Sequence, residues 1–125
     1  MRKLRTRMSR GRVVLDKNLI PLAPLLERVD IRVSFPLPEM DKEYISRHLA
    51  GNRIFVTTDP DSYRDEAIHY EIGVLGIASK LLFNPELAAQ TVSHAIVKAR
   101  LWSRKFPYIA KITKTSASIK DLRGL

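Results

Sequence analysis

Residues 53–61 decide the fold of this chain, and they read Arg-Ile-Phe-Val-Thr-Thr-Asp-Pro-Asp. The apolar residues 54–56 are β-branched or aromatic, which is typical of a buried strand. Pro60 ends the strand, because it lacks a backbone N–H and restricts the residue before it. The stretch therefore predicts a strand over residues 53–58 with Asp59 directly at its carboxyl end.

Four further stretches have the character of short buried strands. Residues 13–15 form an apolar run that ends at Asp16, and residues 31–35 alternate between apolar and polar side chains. Residues 73–78 and 108–113 are again apolar and bounded by glycine or proline. We therefore expect about five strands, two of which end at an aspartate.

Helical periodicity occupies the segments between these strands. Apolar residues between 22 and 29 recur at helical spacing, and Asn18 is the predicted N-cap of that helix. Residues 41–49 and 85–104 predict two further helices, and a loop or short helix is expected up to residue 70.

Strands that alternate with helices predict an α/β fold, with three layers in the order α/β/α around a mostly parallel central sheet. We expect a domain over residues 12–115, a flexible basic arm over residues 1–11 and a C-terminal tail over residues 116–125. In such sheets ligands bind beyond the carboxyl ends of the strands, where Asp16 and Asp59 are placed.

The net charge of +9 is unevenly distributed along the 125 residues. Residues 1–12 hold six basic residues and no acid, and residues 98–125 hold eight basic residues and one acid. The part between them is acidic, with 8 basic and 12 acidic residues. Basic ends around an acidic centre suit a polyanion bound near a metal site, although solvated ends have the same composition.

Several classes of function lack support in the sequence. The absence of cysteine excludes disulfides and thiolate metal sites, and no apolar run reaches the roughly 18 residues of a membrane-spanning helix. The three histidines lack metal-ligand spacing, and no nucleophile elbow or Walker-type loop occurs. We expect a cytoplasmic protein with no membrane partner.

Acidic residues follow the predicted strands or begin a predicted helix. Asp16 and Asp59 follow strands, Asp61 comes two residues later, and Asp41 and Glu43 begin the helix between them. Neighbouring carboxylates repel one another unless a cation neutralises them, and their hard oxygen atoms suit Mg²⁺ or Mn²⁺. The alternative is that these aspartates only cap turns and helices.

Three boxes in this order resemble a family of small PIN-like proteins. The family pattern is an Asp-Glu-Asn-Leu box after the first strand, an Asp-x-Glu-Ile helix start and a Val-x-Thr-x-Asp-x-Asp-Phe box. The similarity spans roughly residues 12–78. The matching stretches here are Val14-Leu15-Asp16-Lys17-Asn18-Leu19, Asp41-Lys42-Glu43-Tyr44-Ile45 and Val56-Thr57-Thr58-Asp59-Pro60-Asp61-Ser62-Tyr63.

The resemblance implies a PIN-like fold and a metal-dependent endoribonuclease, often a toxin-type protein held by an antitoxin. RNA is then the expected substrate, an antitoxin or a second copy of the chain is a candidate partner, and Mg²⁺ or Mn²⁺ is the expected cofactor. Asp16, Asp59 and Asp61 would be the catalytic acids. The metal-site acids would be Asp16, Asp41, Glu43, Asp59 and Asp61.

Polar and basic residues near these acids are candidate contacts for nucleic acid. Asn18 would be the polar residue of the first box, and Thr58 a positioning group. Lys17 replaces the family's glutamate, so that it either weakens metal binding or contacts a phosphate. The basic C-terminal part adds Arg100, Arg104 and Lys105 as candidate contacts to RNA.

Two other functions remain open from the sequence. The chain could bind nucleic acid without cleaving it, on a PIN-like fold whose acidic site is degenerate at Lys17. It could also be a phosphoacceptor domain of the receiver type, because Ser79 follows the fourth strand and Lys111 lies in the last one. The missing acidic pair after the first strand and the isoelectric point of about 10.2 argue against the receiver type.

Overall fold

A computed structural model describes residues 13–34, 41, 45, 54–98, 100–101, 105–112 and 117–124. The strands are β1 (Val13–Leu15), β2 (Val33–Ser34), β3 (Ile54–Thr57), β4 (Gly73–Ile77), β5 (Tyr108–Ile112) and β6 (Ala117–Asp121). The α-helices of the described part are α1 (Ala23–Glu27), α2 (Arg64–Tyr70) and α3 (Pro85–Lys98). Three 3₁₀ helices follow strand ends, at Lys17–Leu22, Pro60–Tyr63 and Ser79–Phe83.

The six strands form one sheet in the order β2-β1-β3-β4-β5-β6. The first five are parallel, and β6 pairs antiparallel with β5. The predicted α/β class and mostly parallel sheet are therefore confirmed. The strand order reverses between β1 and β3, and a doubly wound sheet binds its ligands in the crevice at such a switch point.

The alternation of side chains along each strand divides the core between two faces of the sheet. On the first face, residues such as Leu15, Val56 and Leu75 pack with α1 and α3 in one buried cluster. On the second face, Val14 and Phe55 pack with residues that include Ala67 of α2 and Ile45. Helical residues thus cover both faces, as a three-layer α/β/α fold requires.

The chain leaves β1 through a 3₁₀ helix rather than directly through an α-helix. The predicted N-cap at Asn18 is wrong, because the cap is Asp16, whose carboxylate accepts a hydrogen bond from the backbone N–H of Lys17. Pro21 lies inside the 3₁₀ helix and lacks the N–H that an α-helix would use. The α-helical part therefore begins only at Ala23, within the segment of helical periodicity between residues 22 and 29.

The C-terminal part differs from the sequence prediction in two ways. Helix α3 ends at Lys98 instead of residue 104, because Arg100 adopts a left-handed conformation with φ 53°. The Leu101 N–H then bonds to the Ile96 carbonyl at 3.1 Å, which closes the helix end. In addition, β6 occupies a segment interpreted as a tail, and Leu122 after it is fully buried.

Some predicted elements lie outside the described residues. Of the predicted helix over residues 41–49, only Asp41 and the buried, helical Ile45 are described. The basic arm over residues 1–11 is not described at all. Among the described helices, none combines the length and the apolar character needed to cross a membrane.

Candidate functional site

A row of laterally aligned residues crosses four neighbouring strands at their carboxyl ends. Asp16 follows β1, and its backbone N–H donates to the Val56 carbonyl of β3 at 2.9 Å. Thr57, Gly76 and Lys111 are paired in register across β3, β4 and β5. Residues in such a row point to the same side of a sheet. This edge row therefore faces the layer that contains α2.

The Asp16 carboxylate is held by a hydrogen bond to each of its oxygen atoms. Oδ1 accepts from the Lys17 backbone N–H at 2.8 Å, and Oδ2 accepts from the Thr57 hydroxyl at 2.8 Å. Each carboxylate oxygen can accept a second partner, so both retain capacity for a ligand. The sequence left open whether Asp16 caps a helix or binds a ligand. In the structure it caps the 3₁₀ helix and still has acceptor capacity for a ligand.

Thr57 connects the two aspartates that end adjacent strands. Its hydroxyl is fully buried, donates to Asp16 Oδ2 and accepts from the Asp59 backbone N–H at 3.1 Å. The sequence analysis singled out Thr58 and missed Thr57. The strand alternation contained the signal, because Thr57 lies two residues after the buried Phe55 and shares its face.

A second polar contact ties β1 to β3 nearby. The Asn18 side-chain N–H donates to the Thr58 hydroxyl at 3.2 Å. Both candidate residues therefore lie at the carboxyl edge. Lys17 lies between Asp16 and Asn18, and its side chain is exposed. Lys17, Asn18 and Thr58 therefore all lie at the carboxyl edge, where the strand order reverses.

The turn after β3 lies directly against β4. Asp59 precedes the 3₁₀ helix Pro60–Tyr63, and its carbonyl accepts from the Ser62 hydroxyl at 3.0 Å. A Cβ atom added to Gly76 would lie 2.3 Å from Cγ of Pro60, closer than real Cβ contacts. Glycine at position 76 is therefore required for the turn to approach the sheet so closely. The exposed Asp59 and Asp61 are presented by this turn.

Asp61 is paired with the basic residue of the edge row. Lys111 Nζ lies 2.9 Å from Asp61 Oδ2, and the two side chains are 51% and 70% exposed. An ammonium at this distance competes with a metal ion for the carboxylate. The predicted role of Asp61 as a metal ligand thus has an alternative in this structure, which is to hold Lys111.

Tyr63 lies beneath the acidic edge, with its ring against Phe55 at a centroid distance of 4.6 Å. Burial raises the pKa of its phenol, and the negative charges of Asp16, Glu66 and Asp59 raise this pKa further. These three carboxylates therefore act on one hydroxyl. Glu66, in the first turn of α2, was missed by the sequence analysis because no box of the family pattern contains it.

The acidic residues at this edge carry donor atoms of the type that a divalent ion prefers. Asp16 and Asp59 offer the hard oxygen ligands that Mg²⁺ and Mn²⁺ prefer. In the described part of the chain, no three His, Asp or Glu side chains are grouped closely enough to hold a metal. Because Mg²⁺ is often held by one or two carboxylates with waters and substrate phosphates, two aspartates suffice for such an ion.

The structure does not bring every predicted site residue to this edge. Asp41 is exposed, and its carbonyl accepts from the Ile45 N–H, while Glu43 and Arg104 lie outside the described residues. Arg100 follows the end of α3 and Lys105 precedes β5, which places both at the amino edge of the sheet. These two cations are therefore separated from Asp16 by the length of the strands.

A small cavity of about 240 Å³ lies at the opposite edge. Its lining consists of Lys105, Tyr108, Ile119, Asp121 and Arg123. Arg123 is occupied by a bidentate ion pair with Asp121, whose shortest N···O distance is 2.6 Å. The lining thus holds two cations and one carboxylate, and it has no acid in common with the carboxyl edge.

Comparisons with protein-family models, with curated proteins and with solved structures found no match for this chain. Its function must therefore be inferred from its own residues.

Proposed function

We propose that this chain is a Mg²⁺- or Mn²⁺-dependent endoribonuclease of the PIN-like type, with its site at the carboxyl ends of β1 and β3. The observation that carries the proposal is the Thr57 hydroxyl, which joins the Asp16 carboxylate to the backbone of Asp59. The Asp16 carboxylate and the backbone of Asp59 are thereby held at the switch point of a doubly wound sheet, where ligands bind.

Asp16 and Asp59 would hold the divalent ion together with an oxygen of the scissile phosphate. Such an ion supplies a water of lowered pKa and neutralises the charge that develops on the phosphate. The chain's own residues prepare the position. Thr57 fixes the direction of the Asp16 carboxylate. The buried phenol of Tyr63 is neutral at neutral pH, as an unperturbed tyrosine is, and burial and the nearby acids raise its pKa further.

The experiment is a cleavage assay on labelled single-stranded RNA with Mn²⁺. We expect Asp16→Asn and Asp59→Asn each to reduce the rate by at least about a hundredfold, because each removes a charge that holds the ion. Asp30→Asn is the matched control, since Asp30 is exposed near the amino edge and its φ of 65° is one that Asn tolerates. Equal rates in all three variants would exclude this site as the source of cleavage.

A non-catalytic nucleic-acid-binding role is the second candidate. It is favoured by the lack of a three-residue metal-ligand group in the described part of the chain and by Lys17 beside Asp16. Calorimetric titration with Mn²⁺ separates the two functions. Binding that Asp16→Asn weakens supports the nuclease, whereas RNA binding without any Mn²⁺ binding supports the second role.

The receiver-type alternative receives less support from the geometry. Lys111 lies at the carboxyl edge, but it pairs with Asp61, two residues beyond the strand-following Asp59, and Lys17 stands where a second acid would follow Asp16.

An antitoxin partner remains part of the proposal through the family resemblance. Expression of the wild-type chain should slow growth of a bacterial host, and Asp16→Asn should relieve this effect.

A further inference from the structure

The pairing of Lys111 with Asp61 is the one cation–carboxylate contact that the described structure shows within the edge row and its turn. Lys111 lies near the end of β5, in register with Gly76 of β4, which is itself in register with Thr57. Its Nζ therefore reaches back across the face of β4 to the turn that follows β3. Lys111 belongs to the basic C-terminal part of the sequence, but the fold places it at the carboxyl edge of the sheet.

The spacing of the strands sets the distance between Lys111 and the proposed metal position. Three strand spacings of about 4.8 Å separate the Cα of Asp16 from that of Lys111, which gives about 14 Å. The lysine side chain shortens this gap, because it extends towards Asp61 and the Pro60–Tyr63 turn. A phosphate bound by Lys111 would thus flank the scissile phosphate rather than coincide with it.

Lys111 can exchange Asp61 for another anion. Both side chains are at least half exposed, and an exposed ion pair contributes little to folding stability. A phosphate carries a charge at least as strong as that of a carboxylate and can replace Asp61 at the ammonium. Asp61 therefore holds the Lys111 ammonium near the turn, while the ion pair itself contributes little to the stability of the fold.

We propose that Lys111 is the contact for a flanking phosphate of single-stranded RNA, and that Asp61 is the positioning residue of Lys111 rather than a metal ligand. The identity of the polyanion as RNA rests on the proposed function, whereas the phosphate contact itself does not require cleavage. Gly76 contributes indirectly, because only a residue without Cβ lets the turn lie close enough for Asp61 to reach Lys111.

The test measures binding of a fluorescein-labelled oligouridylate by anisotropy, in EDTA and over a range of salt concentrations. Each phosphate contact to a single strand contributes about 0.7 to the slope of log affinity against log salt. We expect Lys111→Ala to flatten the slope by about that amount and Lys111→Arg to restore it. Arg28→Ala, which removes an exposed cation at the amino-edge end of α1 in the acidic central part of the chain, should leave the slope unchanged.

Asp61→Asn provides the second half of the test. In the wild-type background it should tighten oligouridylate binding, because Asp61 no longer competes with the phosphate for Lys111. In the double variant with Lys111→Ala it should have no such effect, because the lysine for which the two anions compete is absent. It should also leave the calorimetric Mn²⁺ affinity unchanged, while Asp16→Asn reduces it. A loss of Mn²⁺ affinity in Asp61→Asn would overturn the assignment and return Asp61 to the metal ligands.

The outcomes separate this inference from the proposed nuclease function. An unchanged slope in Lys111→Ala, an equal change in Arg28→Ala, or no binding by the wild-type chain overturns the phosphate contact. Absence of Mn²⁺-dependent cleavage overturns the nuclease, but it leaves the slope measured in EDTA as independent evidence for Lys111. Thermal unfolding of each variant shows that a changed slope does not arise from loss of the fold.

Discussion

The Thr57 hydroxyl donates a hydrogen bond to Asp16 Oδ2 at 2.8 Å and thereby connects the carboxyl ends of β1 and β3. The two residues are 41 positions apart in the chain. The same hydroxyl accepts from the Asp59 backbone, so a single buried oxygen orders both ends of the switch point. Its contribution can be tested apart from that of the acids.

Thr57→Val should destabilise the protein by about 1–3 kcal/mol, because it leaves the part-buried hydrogen-bonding groups of Asp16 and Asp59 without their partner. Urea unfolding measures the change. Thr58→Val is the matched control, since it alters the neighbouring hydroxyl, which is only partly buried and bonds to Asn18 instead of Asp16. Thr57→Ser should recover most of the loss, and a variant Thr57→Val as stable as Thr58→Val would contradict the bridging role.

Gly76→Ala and Gly73→Ala form a second matched pair. A Cβ at Gly76 would meet the Pro60 ring at 2.3 Å, and a Cβ at Gly73 would meet the Tyr108 ring at 2.5 Å. Both changes overpack the core and should destabilise the protein by about 1–3 kcal/mol.

Only Gly76→Ala should also alter the site, because it displaces the turn that carries Asp59 and Asp61. The expected result is a weaker Mn²⁺ affinity in calorimetry for Gly76→Ala and an unchanged affinity for Gly73→Ala. Equal Mn²⁺ affinities in the two variants would show that the position of the turn is irrelevant to the acids.

Ionisation of Tyr63 should lower the stability of the protein at alkaline pH. The pKa of its phenol is raised in the folded state, first by burial and then by Asp16, Glu66 and Asp59. An unfolded tyrosine ionises near pH 10, so the folded protein retains a proton that the unfolded chain loses. The stabilisation is therefore complete below about pH 10 and is lost as the pH rises further.

Urea unfolding of wild type and Tyr63→Phe at increasing pH tests this sign. Stability of Tyr63→Phe should fall less steeply above about pH 10, and the phenol absorbance difference between the two proteins should titrate later than that of free tyrosine. In Asp16→Asn this titration should move to lower pH, because one nearby negative charge is gone. A parallel decline of both proteins would show that Tyr63 is not the group responsible.

Lys17→Glu should tighten Mn²⁺ binding, because it exchanges a positive charge beside Asp16 for a negative one. Two charges about 4 Å apart interact by about 1 kcal/mol in a water-like dielectric, which suits the exposed Lys17 side chain. We therefore expect several-fold tighter binding in calorimetry. Lys98→Glu, which makes the same exchange at the opposite edge, should have little effect, and equal affinities in wild type and Lys17→Glu would remove Lys17 from the mechanism.

The basic N-terminal residues should contribute to RNA affinity independently of the acids. Replacing the six basic residues within positions 1–12 by glutamine should flatten the salt dependence by about 0.7 for each phosphate that these residues bind. An unchanged slope in a filter-binding titration would show these residues to be passive. This change should add to that of Lys111→Ala if the two regions bind different phosphates.

Local sequence patterns predicted the class of the fold and five of the six strands, but not β6. The apolar run before Asp16 and the run before Asp59 became β1 and β3, because fully buried parallel strands require continuous apolar residues. The predictions that failed depend on the conformation of a single residue or on the pairing of two strands. Arg100 in a left-handed conformation ends α3, and β6 depends on pairing with β5 more than on its own residues.

The sequence by itself determined that acidic residues follow two parallel strands, since composition and strand patterns are local properties of the chain. Only the tertiary structure decided how those acids are used. Thr57 meets Asp16, and Lys111 meets Asp61 across 50 positions, because strand order and register place distant residues in one row. Register depends on pairing between strands and on the close fit of Pro60 against Gly76, which no single stretch of the chain encodes.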